Sequence, residues 1–263
     1  MKRTPHYPFL SAKQLLYCSV LAVLSFFAAC IPDENADLDC LSDNISSLYE
    51  SDAIRLSLRL QQNSPLANNI ELPEAQQERV LRALGVLHKS DLVQRDSVLE
   101  MYNVHTLPYP AFDEITLQVD TNTTWVHEWM ADKRLTGNPS VDNLMNSYNL
   151  QMDGFFSLSV NFVILSSEKP LNMAALAAAF EDIQGIVDTD YEQSGGDGND
   201  IVAQDFGSTL RLTYTVGYDQ VGSANNCNGS CEFSRSWVFD VSTPSDNSCG
   251  AASFVESYGD AAP

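Results

Sequence analysis

Phe156-Ser157-Leu158-Ser159-Val160-Asn161-Phe162-Val163-Ile164 is the stretch on which the fold class turns. Apolar residues at 156, 158, 160, 162 and 164 alternate with Ser157, Ser159, Asn161 and Val163, which is the period of a strand with one buried face. A helix follows at once. Asn172 can cap it, Met173, Leu176, Phe180 and Ile183 form one side, and Gly185 can close it. Beyond a short strand near 186–192 and the turn residues Ser194 to Asn199, strands dominate. Leu210, Leu212, Tyr214, Val216 and Tyr218 make one face, Trp237, Phe239 and Val241 another, and Phe254 to Tyr258 ends the chain.

Working back from Phe156, Asn138-Pro139 reads as a cap and first helical position for Val141, Leu144, Met145 and Tyr148. Trp125 and Trp129 fit a helix opened by Thr123 or Thr124 and stopped near Gly137. Ile115, Leu117 and Val119 alternate as a strand. Three helices are predicted earlier. The first runs from Ser46 to Gln62 with an imperfect stripe of Leu48, Ile54, Leu56, Leu58 and Leu60. The second opens at Pro73-Glu74 and buries Val80, Leu81, Leu84 and Leu87. The third covers Asp91 to Tyr102 under a Ser90 cap. This order predicts an α+β fold: an antiparallel or mixed sheet with helices packed on one face and a helical N-terminal third. Residues 46–263 are expected to form a single α+β domain, helical over 46–105, mixed over 106–192 and mainly strands over 193–263. No fixed-period repeat is visible.

The 263 residues carry 14 Lys and Arg against 35 Asp and Glu, a formal charge of −21, with 12 Phe, 10 Tyr and 3 Trp. That apolar mass supports a packed core, and the acidity excludes a nucleic-acid partner, because a phosphate backbone would be repelled.

The start of the chain reads as an address. Lys2, Arg3 and Lys13 precede an apolar run from Leu15 to Ala29, too short for the ~20 residues that span a bilayer and suited to a signal-peptide core. The run ends Phe27-Ala28-Ala29-Cys30, which resembles the lipobox of bacterial lipoproteins, with Phe27 where that pattern prefers Leu. A transmembrane anchor or an ordinary secretory signal is the alternative. The resemblance implies a signal peptide at 1–29, a lipidated Cys30, an acidic tether over 30–45, and a partner in the lipid bilayer. It implies a bacterial cell-envelope location, lipid-anchored, on the outer membrane at its periplasmic or surface face. Residue 31 is Ile rather than Asp, so nothing resembles an inner-membrane retention signal. Asp33-Glu34 resembles the acidic surface-export signals of Bacteroidetes lipoproteins, and reads equally as a solvated linker.

Cys40, Cys227, Cys231 and Cys249 remain after Cys18 and Cys30 are set aside. An even number in an exported chain predicts two disulfides, with three connectivities open, and the tight Cys227-Asn-Gly-Ser-Cys231 loop favours Cys227–Cys231 with Cys40–Cys249. Zinc at Cys227 and Cys231 would need two further ligands that no nearby motif supplies. Asp188, Asp190, Glu192, Asp197, Asn199 and Asp200 could hold calcium, which takes six to eight hard oxygens, but the spacing departs from the EF-hand pattern and an acidic hairpin turn explains it as well. No other cofactor is expected. His88, His105 and His127 form no HExxH, and no GxSxG is present. His127-Glu128 is an acid–base candidate whose neighbours diverge by about 100° on a helix. His105 fits a capping role at a helix end.

The Cys227–Cys231 loop, Trp237-Val-Phe-Asp-Val241, Val255-Glu-Ser-Tyr258-Gly259, Thr136-Gly137-Asn138 and Leu171-Asn172 resemble a group of Bacteroidetes exported proteins of uncharacterised function. The likeness extends over roughly 150 residues and implies a location and no activity. The expected function is therefore a non-catalytic binding lipoprotein of the cell envelope with a protein or glycan partner. The alternative is an envelope hydrolase acting on glycan or peptide through carboxylates or a His.

Overall fold

The computed structural model describes residues 41–191, 198–218, 231–244 and 248–261, all within one compact unit, Cys40–Pro263. The fold is α+β. Among the described residues there are two four-stranded sheets rather than one, and every strand pairing is antiparallel.

The first sheet has the order β2-β3-β1-β4, from β1 (Glu114–Val119), β2 (Gln151–Ser157), β3 (Asn161–Ser166) and β4 (Ile186–Asp190). Its core side carries Ile115, Leu117 and Val119 of β1 with Val163 and Leu165 of β3. Three helices whose Cα ranges fall between these strands in sequence share that core: α4 (Val126–Met130), α5 (Pro139–Ser147) and α6 (Met173–Glu181). The second sheet has the order β5-β6-β7-β8, from β5 (Asp200–Asp205), β6 (Thr209–Tyr218), β7 (Phe233–Ser242) and β8 (Ala252–Gly259). Leu210, Leu212, Tyr214, Val216, Phe239 and Val241 pack there against α1 (Asp43–Gln62) and α2 (Glu74–Lys89). A short α3 (Val93–Asp96) leads into a π-helical turn, Ser97–Met101.

The imperfect stripe on α1 has a physical cause. The helix is buried on two sides, with Ile45, Tyr49, Ala53 and Leu56 in the core of the second sheet and Ile54 and Leu58 in a separate cluster with Leu72 and Phe112. One narrow apolar stripe belongs to a helix with one buried face; α1 has two, and Leu48 faces out.

The uninterrupted strand predicted over Phe156 to Ile164 is instead a hairpin. β2 ends at Ser157, Leu158–Val160 turns, and β3 begins at Asn161, with Phe156 opposite Phe162. A turn of three residues preserves the alternation, so the period of two runs through it unbroken, and no Gly, Pro or Asn marks the corner. The face also differs. Val163 and Leu165 point into the core, while Phe156, Phe162 and Ile164 share the opposite face.

Two helices are shorter than predicted. Ser90 closes α2, its hydroxyl donating to Leu87 O at 2.8 Å, instead of opening α3. The widened turn that follows, with Tyr102 N bonded to Ser97 O, brings Val98, Leu99 and Tyr102 onto the core. α4 stops at Met130, and Asp132 takes a left-handed φ of 59°. Asn138 and Asn172 cap α5 and α6 through their side-chain oxygens.

Candidate functional site

Between the two halves runs the loop that follows α1. It is buttressed from both sides. Gln61 of α1 is fully buried, and its Nε2 donates to Leu66 O and Asn69 O at 3.0 and 2.9 Å. Asn172, buried at the start of α6, donates to Ala67 O and Asn69 O at 2.8 and 3.1 Å and accepts from Ala175 N. A Glu71–Leu171 β-bridge adds a further tie. One wall of an open cleft of about 740 Å³ is thereby fixed: Glu71, Glu74 and Gln77 on this side face Tyr148, Asn149 and Glu168 on the other. Lys169 also lines it. Carboxylates, amides and one phenol around an open polar space offer acceptors and donors to a hydroxyl- or amide-bearing ligand. The acidic balance disfavours an anion.

A second cleft of about 500 Å³ lies between α2 and the end of β7. Its Arg79 is committed to the fold, with a bidentate pair to Asp205 at 2.6 and 2.9 Å and a bond to Thr243 Oγ1 at 2.9 Å. The same guanidinium holds the Asp205 carboxyl below the usual carboxylate range through that hydrogen bond.

A polar island lies under α1. Asp52 is buried and accepts from Thr106 N, Thr106 Oγ1 and His105 Nδ1 at 2.8, 2.7 and 2.6 Å. The hydrogen bond to Asp52 raises the His105 pKa, outweighing the partial burial of the ring. Tyr49, one turn before Asp52, meets His88 Nδ1 at 2.9 Å. Burial raises the Tyr49 pKa, so its hydroxyl keeps its proton and donates, while burial and then Arg95 lower the His88 pKa and keep that nitrogen an acceptor. The Tyr214 hydroxyl is buried nearby without a protein partner, its pKa raised by burial and then by Tyr49 and Asp52.

An imidazole aligned by a buried carboxylate is the arrangement of a general base. The His105 side chain is 36% exposed, but neither cleft is lined by it, by Asp52 or by Tyr49. From the sequence a capping role for His105 is as available as a chemical one, and Asp52 gives no hint of its partner, because 53 residues separate them. An Asp in the middle of an otherwise core-facing helix was the available signal.

The other predicted site residues lie apart. His127 is on α4 with its Nε2 at 2.9 Å from Thr121 O, and Glu128 is paired to Lys133. Of the calcium candidates, Glu192 and Asp197 lie outside the described residues. Asp188 and Asp190 are on β4 of the first sheet, whereas Asn199 and Asp200 belong to the start of β5 in the second. Asp200 pairs with Arg59 at 2.9 Å and accepts from Leu107 N, and the Asn199 side chain accepts from Gly217 N. Among the described residues no group of three His, Cys, Asp or Glu is placed to hold a metal ion. Cys30, Cys40 and Cys227 lie outside the described residues. Cys231 and Cys249 are disulfide sulfurs. No helix among the described residues is long and apolar enough to cross a membrane.

No protein-family model, curated protein or solved structure matches this chain.

Proposed function

We propose that the chain is a lipid-anchored protein of the bacterial cell envelope, held by an acylated Cys30, whose folded body binds a protein or glycan partner without transforming it. The observation that supports binding is the 740 Å³ cleft, whose walls are buttressed by Gln61 and Asn172 and whose lining mixes Glu71, Glu74 and Glu168 with Gln77, Tyr148 and Asn149. Such a surface suits a neutral or cationic ligand rich in hydroxyls or amides, which is the chemistry of a glycan or of an extended peptide. The hydrolase reading rests on a different observation, the Asp52–His105 pair.

The two readings separate in one experiment. The purified full chain is titrated by calorimetry with an N-acetylglucosamine tetrasaccharide and with a lysine-containing pentapeptide. Tyr148→Ala and Glu74→Lys serve as cleft variants. Binding of either probe, weakened at least tenfold by both variants with the probe recovered intact, is the expected result. No binding of either probe would remove the reading. Cleavage of a probe that disappears in His105→Ala would replace it with the hydrolase. Mass measurement of the Cys30 peptide from the native host tests the anchor separately.

A further inference from the structure

The first sheet exposes an apolar corner. Phe156 and Phe162 stack with ring centroids 5.2 Å apart and planes at 19°. Phe156 and Val160 are each 43% exposed, and Leu158 at the tip is 77% exposed. The corner is built rather than loose. Ser157 Oγ donates to Asn161 Oδ1 at 2.8 Å, Leu158 N bonds Val160 O at 3.0 Å, and the Phe156 ring folds over Gly154, where a Cβ would lie 3.0 Å from it. β2 is an edge strand, so the corner projects from the side of the sheet.

Charge divides the same face. Residues 154–167 contain no Asp, Glu, Lys, Arg or His in a chain of net charge −21. Across the face the register runs Phe156, Phe162, Gln118, Asp188, and in the next row Gly154, Ile164, Thr116, Asp190. The carboxylates of this face lie on β4 and at Glu114, one row beyond Ile164, and the exposed Asp153 precedes Gly154 on β2, so the tip from 154 to 164 is the uncharged part of the sheet. Carboxylates resist transfer out of water into an interfacial layer, so the uncharged apolar tip is the part of this face that can enter one.

We infer that the Phe156–Phe162 hairpin tip is a second membrane contact, inserting Leu158 and its neighbours into the interfacial layer of a zwitterionic bilayer. This rests on the lipid anchor proposed above. From Cys30 to Leu41 is eleven residues, a leash of at most about 40 Å when fully extended. A body of this size is about as wide, so an anchored chain can lay the tip on the bilayer without detaching. With the anchor holding the body close, a single small apolar tip acts as the second of two linked attachments and orients the cleft relative to the membrane.

The test uses the full chain reconstituted in phosphatidylcholine vesicles, as parent and as Leu158→Trp. Emission is compared with and without bromine-labelled acyl chains, and hydrogen exchange of residues 154–163 is followed in the parent chain. The expected result is that the added tryptophan loses at least half of its emission to the bromolipid, and that exchange over 154–163 slows on vesicles in the parent but not in Leu158→Asp. Unchanged emission and exchange with Cys30 acylated would overturn the inference while leaving the anchor intact. Sedimentation showing a dimer that Leu158→Asp dissolves, with no bromolipid quenching, would overturn it in favour of a second copy of the chain. Quenching with Cys30 unacylated would support the hairpin contact and count against the anchor.

Discussion

At the scale of single residues, Asp52 shows how one buried carboxylate organises its surroundings. It accepts three hydrogen bonds, from Thr106 N, Thr106 Oγ1 and His105 Nδ1, and in a low-dielectric setting each bond to a charged group is worth more than a neutral one. The consequence for stability has a definite sign. The folded pKa of His105 lies above its unfolded value of about 6.5, so the folded chain binds the proton more tightly. Its contribution is complete below about pH 6.5 and is lost as the pH rises through the folded value. His88 behaves oppositely: its folded pKa is lowered, so it subtracts stability as the pH falls below about 6.5. The two histidines together favour a stability maximum near the ordinary histidine pKa. His105→Gln removes the decline on the alkaline side of that maximum while leaving the acid side unchanged. Urea unfolding of both proteins between pH 5 and 8.5 reads this directly, and parallel alkaline limbs would show that His105 is not the group responsible.

At the scale of elements, α6 depends on Asn172 more than an ordinary cap would require. Its amide group serves the helix through Ala175 N and the cleft loop through Ala67 O and Asn69 O, while Asn172 itself is almost fully buried. Removing a cap costs about 1 kcal/mol, and losing the donor to the part-buried Ala67 O adds up to about 1 kcal/mol, since Asn69 O keeps Gln61 Nε2 as a donor. Asn172→Ala should therefore lose about 1–2 kcal/mol in equilibrium unfolding, whereas a loss below about 0.5 kcal/mol would mean that water replaces the amide. The helical half of that role was legible in the sequence, because Asn followed by an apolar run is a local signal. The half that ties down residues 67–69 was not, because its partners lie more than a hundred positions away. The same distinction explains the hairpin. Alternation in Phe156 to Ile164 correctly signalled extended chain, but alternation carries no mark of which face meets helices, and a three-residue turn leaves the phase intact. On β6, by contrast, Leu210, Leu212, Tyr214, Val216 and Tyr218 were readable as one buried face because no turn interrupts them and α1 and α2 cover that side. The cleft was illegible for a simpler reason: its lining comes from the start of α2, the end of α5 and the loops beside them, segments far apart in sequence that carry no motif.

At the scale of the whole molecule, β7 separates two disulfide sulfurs. Cys231 packs beside Gly217, which pairs with Ser234 at one end of the strand. Near the other end, two residues beyond Cys249, Ala251 O accepts from Ser242 N at 2.9 Å. Eight residues of strand at about 3.3 Å each place these points some ~26 Å apart, and a disulfide spans a Cα separation of at most about 7 Å. Cys231 and Cys249 are both disulfide-bonded, yet not to each other. Cys227 is four residues from Cys231 and so reaches no more than about 14 Å from it, which leaves Cys249 out of range. The pairing expected from the sequence, Cys227–Cys231 with Cys40–Cys249, is compatible with both limits. Of the two, the expected long closure would matter more to the fold, since in the chain-entropy model a loop of that length contributes about 5 kcal/mol, against less for a loop of a few residues. Proteolysis of the unreduced chain should yield one peptide pair joining the segments around Cys40 and Cys249, and selective reduction of that bond should lower the unfolding midpoint far more than loss of Cys227–Cys231. A peptide joining Cys40 to Cys231 would refute the pairing.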